Sequence, residues 1–172
     1  MKLVCSAGRL YGTAVSHMDW PQSILLFILR LAWGIAFMET GWGKLHNLAK
    51  VTEFFASLHI PFPGANAAFV GTVELVGGLF LTLGLLSRLA ALPLSATLIV
   101  AYLTDGIQAV QSLFTKDYMN FFAADPWPFL LVCLVVIVFG PGKISLDALL
   151  PRILPKSFVK EIAPGSLASA RA

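Results

Sequence analysis

Charge is what this chain has least of. Only 12% of its 172 residues are Asp, Glu, Lys or Arg, 58% are hydrophobic, and the mean hydropathy is +0.82. So few polar groups cannot cover the surface of a water-soluble domain, which excludes the soluble globular classes. The net charge of +3 and pI near 9.0 are not gathered into a basic face, so nucleic-acid binding is excluded as well. The two cysteines, Cys5 and Cys133, form no C-x-x-C, which leaves this chain without a dithiol couple or an internal disulfide of its own. His17, His46 and His59 lack the H-x₃-H or H-E-x-x-H spacing of a ligand set, so no metal site is expected. There is no phosphate-binding loop, nucleophile elbow, zinc ribbon or internal repeat.

What is present is four apolar stretches, at 22–42, 68–86, 89–110 and 121–140. A transmembrane helix needs about 20 mostly apolar residues. Gln22–Trp42 is interrupted only by Arg30 and Glu39, and Ala68–Leu86 only by Glu74. The third stretch reaches span length only if its helix continues past Asp105 to Val110. The fourth reaches it only by counting the aromatic approach Phe121–Pro128. The first stretch is too long for a signal-peptide core, contains Arg30 and lacks a cleavage site, so it reads as a retained helix. Leu3-Val4-Cys5-Ser6 has no apolar run before it, which argues against lipidation at Cys5.

The expected fold is all-α: a four-transmembrane-helix bundle with a short interfacial helix in the first external loop. In that loop Leu48, Val51, Phe54, Phe55 and Leu58 recur at helical spacing before Ile60-Pro61-Phe62-Pro63-Gly64 ends the pattern. Residues 1–20 form an N-terminal segment, 21–150 the membrane domain and 151–172 a basic tail. Lys2, Arg9, Arg88, Lys143, Arg152, Lys156, Lys160 and Arg171 fall on one side, against Lys44, Lys50 and Lys116 on the other. That bias places both termini in the cytoplasm and the protein in the plasma (inner) membrane.

Depth is the coordinate that singles out candidate residues. Glu39, Glu74 and Asp105 come from three different helices yet fall in the outer third of the expected bundle, with Lys44 and His46 just above. Such a cluster suits proton transfer, hydrogen bonding to a quinone headgroup, or a metal. The plainer reading has Glu39 and Asp105 in contact with headgroups and Lys44 as their local counter-ion. Glu74 is the deepest of the three, on a face lined by Gly71 and Gly78. Arg30 lies near mid-bilayer, where it needs a partner, and Glu74 is nearest in depth; the expected Arg30–Glu74 pair is structural rather than catalytic. Gly34, Gly41, Gly77 and Gly84 recur at sevenfold spacing that suits close helix packing.

Arg30-Leu-Ala-Trp-Gly34, Gly41-Trp-Gly-Lys44-Leu45, Ile60-Pro61-Phe62-Pro63, Glu74-Leu-Val-Gly77-Gly78, Gly84-Leu-Leu-Ser-Arg88 and Gly140-Pro-Gly-Lys143-Ile-Ser-Leu-Asp147, in that order, resemble the DoxX family over residues 24–150. The resemblance implies a four-helix integral membrane protein like the small-subunit type of a thiosulfate:quinone oxidoreductase, or an accessory component of a redox or stress-protective complex. It carries over Arg30, Gly41, Lys44, Glu74, Gly77, Gly78, Arg88 and Asp147 without a catalytic set. Two function classes follow: a membrane subunit of a quinone-linked oxidoreductase, and a non-catalytic anchor or assembly protein. A small-solute channel is a poorer fit, since four short spans make a thin bundle. In either main class the partners are the lipid bilayer and a protein partner or a second copy of the chain.

Overall fold

The computed structural model describes residues 19–153, and these are helical with no strand among them. The expected N-terminal segment up to residue 18, the basic tail from residue 154, and the readings on Cys5 and His17 lie outside the described residues. Eight helices follow in order: α1 (Asp19–His46), α2 (Leu48–Ser57), α3 (Pro63–Leu83), α4 (Ser87–Thr104), α5 (Ile107–Ser112), α6 (Met119–Ala123), α7 (Pro126–Phe139) and α8 (Leu146–Ile153). Three of them, α1, α3 and α4, are long and apolar enough to cross a membrane, and α7 is a shorter apolar helix. At 1.5 Å per residue α1 is about 42 Å long, longer than the hydrocarbon core, while α7 is about 21 Å and falls short of it.

Two sequence boundaries move. Asp105 does not lie inside an extended third helix: α4 stops at Thr104, Asp105 and Gly106 both donate to the Ala101 carbonyl, and a separate short helix begins at Ile107. The aromatic approach to the fourth stretch does not lengthen it either, because Ala124 adopts an extended conformation that separates α6 from α7. In compensation, the second apolar helix begins at Pro63, five residues before its apolar run, since proline is well placed in a first turn.

The most extensive helix pairing is α1 with α3, then α4 with α7. Along α1, Ile24, Leu25, Ile28, Leu31 and Ile35 are exposed, whereas Arg30, Phe37 and Gly41 are buried. The outward face is thus more apolar than parts of the inward one, the arrangement a bilayer solvent favours. Phe37, Leu81, Leu94, Leu98, Tyr102, Cys133 and Val136 join the helices in one core. The Tyr102 hydroxyl donates to the Phe121 carbonyl at 2.9 Å, and the two rings stack 4.7 Å apart, fastening α6 beside α4.

Glycine sets the α1–α3 separation. A Cβ on Gly41 would lie 2.5 Å from the Leu75 amide nitrogen and 2.7 Å from the Gly71 carbonyl oxygen; one on Gly78 would lie 2.7 Å from the Gly34 carbonyl oxygen. The expected packing role holds for Gly34 and Gly41, and for Gly77 against Leu94. Gly84 serves differently: at φ +69° it ends α3, its own N–H donating to Leu81 and that of Leu85 to Phe80.

α2 forms where the amphipathic pattern places it, buries no residue completely and packs mainly on α3. Its Thr52 side chain lies against Gly64.

Candidate functional site

The register of α1 against α3 decides which charges meet. With Gly41 opposite Gly71 and Leu75, and Gly34 opposite Gly78 and Thr82, Lys44 comes level with the middle of α3 and its ammonium group forms an ion pair with Oε2 of Glu74. The Glu74 side chain is 8% exposed and that of Lys44 28%. Removing such a carboxylate from water is tolerable because it is paired. Lysine carries three N–H donors, and Glu74 engages one of them, so the ammonium retains donors for another oxygen.

Arg30 and Glu74 do not pair, contrary to the sequence expectation. The same register sets Arg30 against Leu81 and Gly84 at the far end of α3, some seven residues or about 10 Å along the helix from Glu74. Glu74 itself is about 16 Å from the start of α3, because that helix begins at Pro63 rather than Ala68. Arg30 is wholly buried; it donates to the Leu81 carbonyl at 3.3 Å and to the Ile144 carbonyl, with the Asp147 carboxylate nearby as its counter-charge.

Asp147 does more than balance charge. Its two carboxylate oxygens accept the amides of Leu86 and Ser87 at 2.7 and 3.1 Å, and its own amide donates to the Gly84 carbonyl at 2.9 Å. A side chain sixty residues away in sequence thus supplies the cap for the start of α4, which follows Leu86 in a left-handed conformation at φ 46°. Asp147→Ala is expected to lower stability by about 1–2 kcal/mol, the usual scale of a lost N-cap; unfolding by SDS titration in mild detergent measures it.

Glu39 and Asp105 are exposed and belong to no ion pair among the described residues; Lys44, expected as their local counter-ion, pairs with Glu74 instead. His46 is exposed, its ring against that of Trp42 at 4.1 Å between centroids. The described residues hold no group of three or more His, Cys, Asp and Glu side chains placed to bind a metal ion. The candidates therefore resolve into a Lys44–Glu74 pair at one level and an Arg30 site near the opposite end of α3, rather than one carboxylate-lined cavity.

The sequence did not single out Lys44 as the partner of Glu74 because the apolar stretch ends at Trp42. A signal was present: Lys44 follows Arg30 by 14 residues and Phe37 by seven, which places all three on one helix face if the helix continues. α1 runs to His46.

A DoxX family model matches residues 25–106. The chain is 28% identical over 132 residues to "Inner membrane protein YqjF" of Escherichia coli (strain K12), covering 75% of this chain and 94% of that protein. It is 30% identical over 137 residues to "Uncharacterized membrane protein Rv3486" of Mycobacterium tuberculosis, covering 76% and 83%. To "Putative oxidoreductase CatD" of Bacillus subtilis (strain 168) it is 30% identical over 82 residues, covering 48% and 60%. No solved structure matches.

Proposed function

Because the chain belongs to the DoxX family of integral membrane proteins, we propose that it acts as a membrane subunit or accessory component of a quinone-linked oxidoreductase or redox-stress system. The observation that carries this reading is the Lys44–Glu74 ion pair, held between two helices of membrane-spanning length. Ionisable groups at that depth are costly and mark working sites by default. The pair suits a quinone headgroup: Lys44 Nζ has donors left for a carbonyl oxygen, and Glu74 is an acceptor for a quinol hydroxyl. A quinone bound there would supply two-electron, two-proton redox chemistry. Lys44 would orient and polarise the carbonyl, and the Glu74 carboxylate would accept a hydrogen bond from the hydroxyl of the reduced form. The electrons come from a partner redox protein, since this chain has no dithiol pair. The oxidoreductase name borne by the Bacillus relative supports a redox setting.

A short-chain quinone analogue is expected to bind the purified protein in lipid nanodiscs, with Lys44→Met and Glu74→Gln each weakening it by about tenfold and Asp105→Asn leaving it unchanged; tenfold is the loss of roughly one charge-assisted hydrogen bond. Equilibrium titration measures it, and no binding, or binding indifferent to Lys44 and Glu74, rejects the reading. The second reading, a non-catalytic anchor or assembly protein, draws on Arg30, whose hydrogen bonds tie α1 to α3 and to the segment after α7.

In this reading the protein sits in the plasma membrane with both termini cytoplasmic and α2 along the outer surface. A Ser57→Cys variant, with Cys5 replaced by serine, is expected to react with an impermeant maleimide from outside intact cells; reaction only after the cytoplasmic face is opened reverses the orientation.

A further inference from the structure

Arg30 lies close to the midpoint of α1, and what neutralises it arrives late in the chain. Of the groups around its guanidinium, the Leu81 carbonyl belongs to α3; the Ile144 carbonyl and the Asp147 carboxylate belong to the segment that follows α7. Ser145 sits in the same layer, buried, with its Cβ against Gly84 and its hydroxyl donating to the Gly142 carbonyl at 2.8 Å. Residues 142–147 therefore form a polar floor beneath Arg30, joined to the α3–α4 turn by three Asp147 hydrogen bonds.

Arg30 Nε is buried without a hydrogen-bond partner even with the floor in place, and a guanidinium has five N–H donors to satisfy. Were the floor displaced, the guanidinium, wholly buried in the folded protein, would lose the Ile144 carbonyl and the Asp147 counter-charge and keep only the Leu81 carbonyl of the three, and leaving a buried charge without its partner is costly. An apolar residue at position 30 has no such requirement.

We propose that the segment from Gly142 to Asp147 is an assembly clasp: the helix that bears Arg30 is stably seated in the membrane only after this segment has folded back beneath it. Completion of the bundle is thereby conditional on the chain having been made and docked through Asp147. The device is independent of what binds at Lys44 and Glu74.

The clasp implies a reversal in the effect of one substitution. In the full chain, Arg30→Leu removes the donors that hold the Ile144 carbonyl, so it lowers the yield of monodisperse protein in mild detergent. With the clasp disabled, the same substitution removes the stranded charge, so it raises the yield. Inserting two glycines between Gly142 and Lys143 keeps every residue of the full chain but moves the Ile144 carbonyl and Asp147 out of register. That insertion is expected to cut the monodisperse yield at least tenfold, because a buried arginine that loses its partners is strongly destabilising, and Arg30→Leu in the inserted chain to recover most of it. Size-exclusion chromatography after cell-free synthesis into nanodiscs reads all four chains. A second pair, ending at Phe139 with and without Arg30→Leu, repeats the comparison with the segment absent altogether. Rescue by Arg30→Leu in either clasp-disabled background, combined with loss in the intact one, supports the clasp. Arg30→Leu acting with the same sign in intact and disabled chains overturns it, as does an insertion that leaves the yield unchanged.

Discussion

Gly41→Ala is expected to destabilise the protein by about 3 kcal/mol, at the upper end of overpacking penalties, because the added methyl meets backbone rather than a movable side-chain tip. The atoms in its way are the Leu75 amide nitrogen and the Gly71 carbonyl oxygen, both fixed in α3. The helices must separate, and the ion pair one turn further along α1 lengthens with them. SDS titration in mild detergent reads the stability loss, and the quinone-analogue titration is expected to weaken in parallel. Gly43→Ala is the control, since a Cβ there meets nothing within 4 Å, and it should be close to neutral. Equal effects at the two positions would mean that close approach at Gly41 does not govern the seam.

The Lys44–Glu74 pair gives the other large effect. Lys44→Met strands a carboxylate whose side chain is 8% exposed, and a loss of about 3 kcal/mol is expected, the lower end of the cost of breaking a buried pair. Glu74→Leu should cost less, since the 28% exposed Lys44 side chain can extend its ammonium toward the interface. Replacing both together should recover most of the larger loss, because no charge is then left without a partner. A double-mutant cycle by SDS titration measures the coupling. Additive single effects would show that the two groups do not depend on each other.

Membrane character and helix content were legible along the chain because they are sums over short windows. About 20 apolar residues suffice to span the hydrocarbon, and the stretches around Arg30 and Glu74 show that length without reference to any other part of the molecule. The amphipathic spacing from Leu48 to Leu58 likewise marked the short helix between the first two long ones. Helix ends were less legible: hydropathy falls at Trp42, yet α1 continues through Lys44 to His46; the run begins at Ala68, yet α3 starts at Pro63. Apolar composition follows the lipid rather than the hydrogen-bonded backbone, so the two boundaries differ wherever a helix projects beyond the hydrocarbon.

Which charges are partners is a different kind of information. Glu74 looked like the partner of Arg30 because it was the nearest to it in depth, but depth was counted from apolar boundaries that are not helix ends. The actual partners depend on the sliding register of α1 against α3, fixed by the points where Gly34, Gly41, Gly71 and Gly78 let one backbone meet the other. That register carries Lys44 to Glu74 and Arg30 to the end of α3, where the Ile144 carbonyl, 114 residues away, accepts a second hydrogen bond from it. Hydropathy and periodicity are local properties and were readable residue by residue; register and the return of a distant segment arise from contacts between helices, and only the folded bundle specifies them.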